Sequence, residues 1–289
     1  MKSVVVTGVS TGIGLGTARV LVAEGYRVFG SVRRPADADR VKQELGEGFT
    51  PLLFDVADEA AVHRAGDEVR AALAGEPLFG LVNNAGIAVA GPVLMLPLEE
   101  LRRQMEVNVV GVVACLQAFA PMLFQNVTAQ ERPGRIVNIS SVGGRAGMPF
   151  IGAYAASKFA LEGLTESLRR EMILFGVDVI AIAPGFVSTE MTVKGAATDL
   201  APYAGTPYAG PVERLRSFMT PGEGAAFPPA RLGRAVLEAL TARRPRTRYT
   251  VTPSPVQQLL FDTLPKRLLD RMVAGQLGLK PATASPGAA

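Results

Sequence analysis

Cysteine and histidine are almost absent from this chain of 289 residues, which contains one of each, Cys115 and His63. A single cysteine cannot form an internal disulfide, and with a single histidine it cannot assemble a Cys/His metal cluster, so no metal site is predicted. A secretory signal is also missing, because Lys2 is followed at once by the apolar run Val4–Val6 and a glycine turn. These features are typical of the cell interior, and we expect a cytoplasmic protein.

Long apolar runs and a strong charge imbalance are lacking as well. The most apolar stretch, Val109–Phe124, is interrupted by Gln117 and Pro121 and is shorter than the roughly 20 residues that a membrane span needs. We interpret it as a buried or interface helix. Thirty basic residues against 26 acidic ones give a net charge of only +4. The one dense basic cluster, at 243–248, is interpreted as a solvated turn, so neither a nucleic-acid partner nor a membrane span is expected.

Short β-branched runs alternate with segments of helical period, which predicts right-handed crossovers and a parallel sheet covered on both faces. This is the doubly wound α/β arrangement of a Rossmann fold. No linker rich in proline or serine divides the chain, so residues 1–279 are predicted to form a single domain. The predicted strands are Val4–Thr7, Arg27–Val32, Thr50–Phe54, Gly80–Val82, Arg135–Ile139, Asp178–Ile182 and Arg248–Val251. The predicted helices are Gly14–Gly25, Asp37–Leu45, Glu59–Leu73, Leu98–Val113, Cys115–Phe124, Tyr154–Leu174 and Arg231–Ala242.

Periodicity fails between Glu190 and Pro229, where glycine, proline and alanine predominate. Unpatterned segments of this length are usually functional lids or mobile segments, and we predict a substrate lid over about 190–229. After the last strand, apolar residues at helical spacing predict a C-terminal helical extension over about 254–279. These residues are Val256, Leu259, Leu260, Leu264, Leu268 and Met272. The tail 280–289 is predicted to be disordered.

A glycine-rich turn follows the first strand and opens the first helix, as a dinucleotide site requires. Its glycines are Gly8, Gly12 and Gly14, a variant of the G-x-G-x-x-G spacing. Glycine permits a tight turn, close approach of the backbone to a pyrophosphate and close packing of helix on strand, while the helix N-terminus faces the anion. The triplet alone is also compatible with an ordinary turn, and its position after the first strand favours the dinucleotide site.

The second strand is not followed by the acidic residue that a NAD site normally places about 20 positions after the glycine turn. Arg33 and Arg34 occupy this place, and the first carboxylate is Asp37. A carboxylate repels a 2′-phosphate, whereas a guanidinium binds one through paired hydrogen bonds. The pair therefore favours NADP(H) over NAD(H), the alternative being that both arginines are merely solvated.

Tyr154 and Lys158 are four positions apart and are predicted to share one face of a helix. The strand before them delivers Ser140 and Ser141 to the carboxyl edge of the sheet, where ligands bind in open parallel sheets. A free tyrosine has a pKa of about 10, and a nearby cation favours its phenolate form. We predict that Lys158 lowers the pKa of Tyr154 toward the working range of a general acid/base.

A series of motifs, in order along the chain, resembles that of the short-chain dehydrogenase/reductase family up to about Met191. They are Thr7-Gly-x-x-x-Gly-Ile-Gly14, Asn83-Asn-Ala-Gly86, Asn108, Ser141, Tyr154-x-x-x-Lys158 and Pro184-Gly185 with Thr189. The resemblance implies hydride transfer between a nicotinamide and an alcohol or ketone carbon. It implies that Tyr154 is the general acid/base and that Ser141, rather than Ser140, hydrogen-bonds the substrate oxygen. It further implies that Lys158 holds the nicotinamide ribose and that Asn108 anchors a water in the proton relay.

The same matching assigns residues to cofactor binding, with Asp55 contacting adenine, Asn84 beside the cofactor and Thr189 bonding the carboxamide. The set is Gly8, Ser10, Thr11, Gly12, Ile13, Gly14, Arg33, Arg34, Asp55, Val56, Asn84, Ala85, Gly86, Tyr154, Lys158, Pro184, Gly185, Val187 and Thr189. Simpler roles remain open for some of these: Asn83 and Asn84 as turn residues, Asp55 as a helix cap, and Pro184-Gly185 as a loop.

The phrase Tyr154–Leu164, the segment Leu174–Val177 and Arg33 resemble the hydroxysteroid and retinol dehydrogenase branch of the family. This implies a hydrophobic alcohol or ketone substrate, steroid- or retinoid-like, and a homodimer or homotetramer joined through the helices of Val109–Phe124 and Tyr154–Leu174. Two other functions stay open. A nucleotide-sugar epimerase or dehydratase uses the same tyrosine and lysine but usually has a larger C-terminal domain. A non-catalytic NADP-sensing protein has no need for the whole catalytic set.

Overall fold

The computed structural model of the protein describes residues 1–128, 132–185, 187, 199–219, 227–254, 258, 261 and 263–281. Within these residues, seven strands form: β1 Ser3–Val6, β2 Arg27–Val32, β3 Phe49–Leu53, β4 Gly80–Asn83, β5 Arg135–Ile139, β6 Val179–Pro184 and β7 Arg248–Val251. They make one parallel sheet in the order β3-β2-β1-β4-β5-β6-β7. The order reverses between β1 and β4, and ligands of open α/β sheets bind in the crevice at such a switch point. The predicted fold class is confirmed.

Helices cover both faces of this sheet. Their ranges are α1 Gly12–Ala23, α2 Pro35–Leu45, α3 Glu59–Leu73, α4 Leu98–Met105, α5 Gly111–Phe119, α6 Gly152–Glu171, α7 Ala209–Met219, α8 Pro229–Thr241 and α9 Lys266–Leu277. A turn of π-helix, Glu106–Val110, joins α4 to α5. The helices α1 and α8 pack closely because of two glycines. A Cβ on Gly16 would lie 2.7 Å from the Pro229 Cβ, and one on Gly233 would lie 2.7 Å from the Gly16 carbonyl oxygen.

The residues of β1 alternate between the two faces of the sheet, as the twofold period of a strand requires. Val4 and Val6 pack in the apolar cluster beneath α1 and α8, whereas Val5 packs in the cluster beneath α3, α5 and α6. All three valines are fully buried. A parallel sheet covered on both faces needs such uninterrupted apolar strands, which is why β1 reads as a continuous run of valine.

The helical stretch from Leu98 to Leu123 is long and apolar enough to cross a membrane by length and composition alone. In the structure, 61% of its most apolar window is buried. Cys115 and Phe119 lie inside the core cluster shared with α3. This burial is typical of a core helix and agrees with the interpretation of Val109–Phe124 as a buried helix.

The segment predicted to be an unpatterned lid contains a helix, α7, so the prediction of lost periodicity is wrong for residues 209–219. Gly210 and Pro211 concealed the helix, but proline is tolerated in a first helical turn, where its missing N–H would have no partner. Val212 and Leu215 are the buried pair of this helix. Residues 190–198 and 220–226 of the predicted lid lie outside the described residues.

A helix, α9, lies within the predicted C-terminal extension, but its buried stripe differs from the prediction. Leu269, Val273 and Leu277 pack into an apolar cluster with α7, whereas Leu268 and Met272 remain 43% and 42% exposed. The predicted stripe is therefore wrong by one position at these two residues. Val256, Leu259 and Leu260, and the tail from residue 282, lie outside the described residues.

Candidate active site

The glycine turn between β1 and α1 adopts a conformation that only glycine fits. Gly8 and Gly12 have φ angles of 71° and 60°, which lie in the left-handed region where side chains are disfavoured. Gly14 has no room for a side chain, since a Cβ would lie 2.1 Å from the Gly8 carbonyl oxygen and 2.5 Å from Asn84 Nδ2. Such a bare turn at a helix N-terminus fits the pyrophosphate of a dinucleotide.

The residues around the end of β4, on the other side of the switch point, hold this turn in place through hydrogen bonds. The Thr7 hydroxyl accepts hydrogen bonds from the backbone N–H groups of Asn84 and Ala85, both at 2.9 Å. The Asn84 side chain donates to the carbonyl oxygens of Thr7 and Gly8, at 2.8 and 3.0 Å. Asn84 therefore stabilises the predicted cofactor turn instead of serving as a simple turn residue.

Asn83 is likewise not a turn residue, because it ends β4 and is buried. Its amide donates to Asn138 Oδ1 on β5 at 2.8 Å, and the Asn138 amide donates to Thr165 Oγ1 on α6 at 2.9 Å. This chain of buried hydrogen bonds ties the centre of the sheet to the helix that carries Tyr154. It fixes the height of that helix above the sheet.

Two acidic residues follow β3, and only one of them caps a helix. Asp58 caps α3 by accepting from the Ala61 N–H at 3.0 Å. Asp55 instead accepts from the Ala57 N–H at 3.1 Å and lies 3.6 Å from the Arg33 guanidinium. The helix-cap alternative for Asp55 is therefore wrong, and its position opposite Arg33 agrees with a place at the adenosine end of the site.

The end of β2 carries a group of guanidinium groups beside the glycine turn. Asp37 holds two of them: Arg34 Nε lies 2.7 Å from its carboxylate and Arg40 Nη2 lies 3.1 Å away. The Arg34 hydrogen bond is the largest cause that lowers the pKa of Asp37 below its usual value. Arg40 also donates to the Ser10 carbonyl oxygen at 2.6 Å. Arg40 was missed from the sequence, although its i,i+3 relation to Asp37 was a usable signal.

Ser141 and Tyr154 come together at the carboxyl edge of the sheet. Ser141 is the second residue after β5, and its hydroxyl accepts from the Gly143 N–H at 3.0 Å. A Cβ on Gly143 would lie 3.3 Å from the Ser141 hydroxyl oxygen and 3.6 Å from Tyr154 Cε1. Ser140 points away, since its buried hydroxyl would lie 2.9 Å from a Cβ on Gly144, under α6. This geometry agrees with the choice of Ser141 over Ser140.

Lys158 lies one helical turn after Tyr154, as predicted, and is buried. Its ammonium donates to the Ile139 carbonyl oxygen at 2.8 Å and lies 5.8 Å from the centroid of the Tyr154 ring. The lysine therefore bridges the end of β5 and α6.

The pKa values of this pair are set mainly by burial. Burial raises the pKa of Tyr154 above its ordinary value, and a hydrogen bond with Ser141 opposes the rise. Burial also lowers the pKa of Lys158 to about 8, while the charge of Glu162 opposes that fall. The prediction that Lys158 lowers the pKa of Tyr154 is therefore wrong for the protein without cofactor, because desolvation of the phenol prevails. A phenol that keeps its proton is suited to act as an acid toward a carbonyl.

Asn108 lies in the π-helical turn and is buried. Its carboxamide accepts from the Ile87 N–H at 2.9 Å and donates to the Ile87 carbonyl oxygen and the Ser157 hydroxyl, both at 3.0 Å. Single π-helical turns are frequent at functional sites. The side chain thus binds the segment after Gly86, and the role of Asn108 in holding a water stays a prediction.

Gln104 and Ser157 belong to the same network and were missed from the sequence. The Gln104 amide accepts from the Val89 N–H and donates to the Ile87 carbonyl oxygen, both at 2.8 Å. The Ser157 hydroxyl donates to the Tyr154 carbonyl oxygen at 2.7 Å. Gln104 precedes Asn108 by four positions, so the i,i+4 spacing of two amides was a usable signal.

The other residues assigned to cofactor binding lie around this edge, with one exception. Thr11 is the N-cap of α1, Ile13 is part of its first turn, and Val56 is buried beside Gly111. Pro184 ends β6, and the Gly185 N–H donates to the Val251 carbonyl oxygen at 2.8 Å, so this segment continues the sheet and is not a free loop. Val187 is buried and pairs with Phe227. Thr189 lies outside the described residues.

Known proteins with similar sequences identify the family of this chain. The family profile described as short chain dehydrogenase matches residues 2–199. The chain belongs to the short-chain dehydrogenase/reductase family. A curated relative, the NADPH-dependent 3-dehydrocapnine reductase of Ornithobacterium rhinotracheale, is 36% identical over 276 residues, which cover 94% of this chain and 96% of the relative.

Human retinol dehydrogenase 5 is 33% identical over 301 residues, covering 97% of this chain and 90% of that protein. This confirms the resemblance to the retinol dehydrogenase branch. A solved structure, a short-chain dehydrogenase from Streptomyces avermitilis, is 27% identical with a TM-score of 0.74, covering 95% of this chain and 94% of that one. As a member of this family, the protein is an NAD(P)-dependent oxidoreductase that acts on CH–OH groups.

Proposed function

We propose that the protein is an NADP(H)-dependent ketoreductase and alcohol dehydrogenase acting on a hydrophobic secondary alcohol or its ketone, in the cytoplasm. The observation that carries the cofactor preference is the group of guanidinium groups at the end of β2. Arg33 and Arg34 lie where a NAD site would place a carboxylate for the ribose hydroxyl, and Arg40 on α2 contacts the Ser10 carbonyl oxygen of the glycine turn. The NADPH dependence of the 3-dehydrocapnine reductase supports this preference.

An apolar cluster beside Tyr154 supports the hydrophobic substrate. Phe150 is buried and lies two residues before α6, and it packs in one cluster with Tyr203, with α7 and with α9. Ile151 and Met148 pack against the same cluster. An apolar wall with few polar groups suits a lipophilic alcohol or ketone. Retinol, the substrate named for one relative, is a primary alcohol that shares this lipophilic character.

The protein's own residues supply the proton chemistry of the proposed reaction. A bound nicotinamide supplies or accepts the hydride. In the direction of reduction, the Tyr154 hydroxyl gives its proton to the carbonyl oxygen, and the Ser141 hydroxyl donates a hydrogen bond to the same oxygen. In this proposal Lys158 holds the ribose and replenishes the proton at Tyr154. Because burial raises its pKa, the phenol keeps its proton at neutral pH, which is the form that carbonyl reduction requires.

Arg33→Ala is expected to weaken NADP(H) binding by about 10- to 100-fold and NAD(H) binding by far less, because a charge-assisted hydrogen bond contributes about 1.5–3 kcal/mol. The measurement is kcat/KM and Kd for both cofactors. Arg19→Ala is the matched control, since it removes an equally charged side chain that pairs with Glu44 on α2. An equal loss for both cofactors would contradict the NADP(H) preference.

A panel of carbonyl compounds tests the substrate class. Consumption of NADPH is measured with 3-dehydrocapnine, retinal, steroid ketones and short aliphatic ketones at equal concentration. The proposal expects the lipophilic compounds to give the highest kcat/KM. A preference for short polar ketones would contradict the hydrophobic site.

We further propose that copies of the chain associate as a homodimer or homotetramer through the helices of Val109–Phe124 and Tyr154–Leu174. Val110 and Phe159 on these helices are 50% and 47% exposed, and such an interface would cover both. Light scattering at micromolar concentration is expected to give at least the mass of a dimer, and Phe159→Glu is expected to lower it. Leu53→Glu, on the edge strand β3, is the control. A monomeric wild-type protein would contradict this proposal.

A further inference from the structure

A nearly buried ion pair joins the last strand to α6 behind the catalytic residues. Arg248 Nε lies 3.2 and 3.4 Å from the two carboxylate oxygens of Glu162, and the two side chains are only 11% and 15% exposed. The sequence-based interpretation of the arginine cluster as a solvated turn is therefore wrong for Arg248. A pair so poorly hydrated costs desolvation free energy, so its presence requires an explanation.

The same guanidinium reaches the segment that carries Ser141. Arg248 Nη2 donates to the Ser141 carbonyl oxygen at 3.4 Å, and Nη1 donates to the Thr250 hydroxyl at 2.6 Å. The Ser141 segment also packs tightly on α6, because a Cβ on Gly144 would lie 2.9 Å from Glu162 Cγ. One arginine from β7 thus fixes the serine segment and the catalytic helix relative to each other.

Glu162 lies one helical turn after Lys158, on the same side of α6. Its negative charge opposes the effect of burial on the pKa of Lys158. The charged and titratable groups that face Lys158 are Tyr154 and Glu162 on its own helix and Arg248 behind Glu162. The Lys158 ammonium itself donates to the Ile139 carbonyl oxygen. Glu162 and Arg248 line a surface groove. Arg145 and Glu166 line the same groove and are exposed.

We propose that Glu162 and Arg248 are a positioning pair that balances the charges around Lys158 and holds Ser141 in register with Tyr154. This inference rests on the proposed function. Neither residue contacts the reacting atoms, so each acts through Lys158 or Ser141. The Glu162 carboxylate is the negative charge that stabilises the buried Lys158 ammonium. Arg248 partly neutralises that carboxylate and also hydrogen-bonds to the Ser141 segment.

The two partners are expected to shift the pH dependence in opposite directions. Glu162→Gln leaves Arg248 as a second buried cation near Lys158, which favours loss of the lysine proton. Arg248→Gln leaves a carboxylate without its partner beside Lys158, which favours retention of the proton. Carbonyl reduction needs the charged lysine, so its rate falls as the pH rises through the pKa of Lys158. The pH at which the rate falls on the alkaline side is therefore expected to be lower in Glu162→Gln and higher in Arg248→Gln.

The test is the pH profile of kcat/KM for NADPH, which reports the free enzyme, in the wild type, both single variants and the double variant. The inference expects the alkaline limb to move about one pH unit lower in Glu162→Gln and about one unit higher in Arg248→Gln. The double variant is expected to lie near the wild type. Glu166→Gln is the control, because it breaks an exposed ion pair with Arg170 on the same helix.

Purely structural damage lowers kcat/KM at every pH without moving the limb, and that result would overturn the inference. Shifts of the same sign in both single variants would overturn it as well. Glu162→Asp and Arg248→Lys keep the charges and are expected to retain the wild-type limb, which covers the case of a single variant that folds poorly. The pH dependence of NADPH affinity, followed by fluorescence, gives the same comparison without turnover. If Tyr154→Phe is inactive and the alkaline limbs of Glu162→Gln and Arg248→Gln match that of the wild type, this inference fails while the proposed function stands.

Discussion

Replacement of Tyr154 by phenylalanine is expected to reduce turnover by about 10²–10⁴-fold, the range that general acid–base groups contribute. The variant keeps the ring that fills the space beside Gly143 and loses only the hydroxyl that delivers the proton. Ser141 remains able to hydrogen-bond the carbonyl oxygen, but it has no comparable route for proton exchange with Lys158. The carbonyl is therefore still bound and is reduced slowly.

Cofactor affinity is expected to remain nearly intact in this variant. The glycine turn and the guanidinium groups at the end of β2 are built from other elements, and neither depends on the phenol. The measurement is kcat at saturating NADPH and ketone, together with the Kd for NADPH. Tyr26→Phe is the control, since Tyr26 packs against Phe79 at the amino ends of β2 and β4, away from the site. Unchanged turnover would remove Tyr154 from its role.

Gly14→Ala is the second change with a large expected effect, and it acts on the cofactor turn. The added methyl group would lie 2.1 Å from the Gly8 carbonyl oxygen and 2.5 Å from Asn84 Nδ2. Both are held in place by the hydrogen bonds between Asn84 and the turn. Forcing a methyl group into such a site costs about 1–3 kcal/mol or more. Either the turn or Asn84 must move, and we expect NADPH affinity to fall at least about tenfold.

Urea unfolding and NADPH titration measure the two consequences of Gly14→Ala. Gly163→Ala is the matched control, because Gly163 lies on α6 with nothing within 4 Å of its added methyl group. It is expected to raise the free energy of unfolding by about 0.5–1 kcal/mol, the difference in helix propensity between alanine and glycine. A Gly14→Ala protein with wild-type stability and NADPH affinity would contradict the account of the turn.

The sheet was predictable from sequence because each buried strand carries its own signal. Arg27–Val32 and Arg135–Ile139 were predicted with the bounds that the structure shows, and so was the helix Glu59–Leu73. The errors fall where a segment's partner decides its structure. The helix α7 begins with Gly210 and Pro211, which look like loop residues, and α9 buries Leu269 instead of Leu268 because of how it meets α7.

The residues of the site also divide into those that a local sequence pattern predicts and those that it does not. The glycines and the Tyr154–Lys158 spacing are local patterns, and the structure shows why those residue types are needed. The Glu162–Arg248 pair joins residues 86 positions apart, and no local pattern distinguishes Arg248 from its solvated neighbours. The direction of the pKa shift at Tyr154 was also beyond reach. It depends on how much apolar protein surrounds the phenol, which the spacing of two residues does not reveal.

Deuterium transfer tests the central claim most directly. The protein is incubated with a hydrophobic ketone and NADPH that carries transferable deuterium at the nicotinamide ring, and the alcohol product is analysed by mass spectrometry. The account predicts deuterium on the carbinol carbon with the wild type and almost none with Tyr154→Phe in the same time. A wild-type protein that binds NADPH but labels none of the lipophilic ketones, or a Tyr154→Phe protein that labels them equally fast, would contradict it.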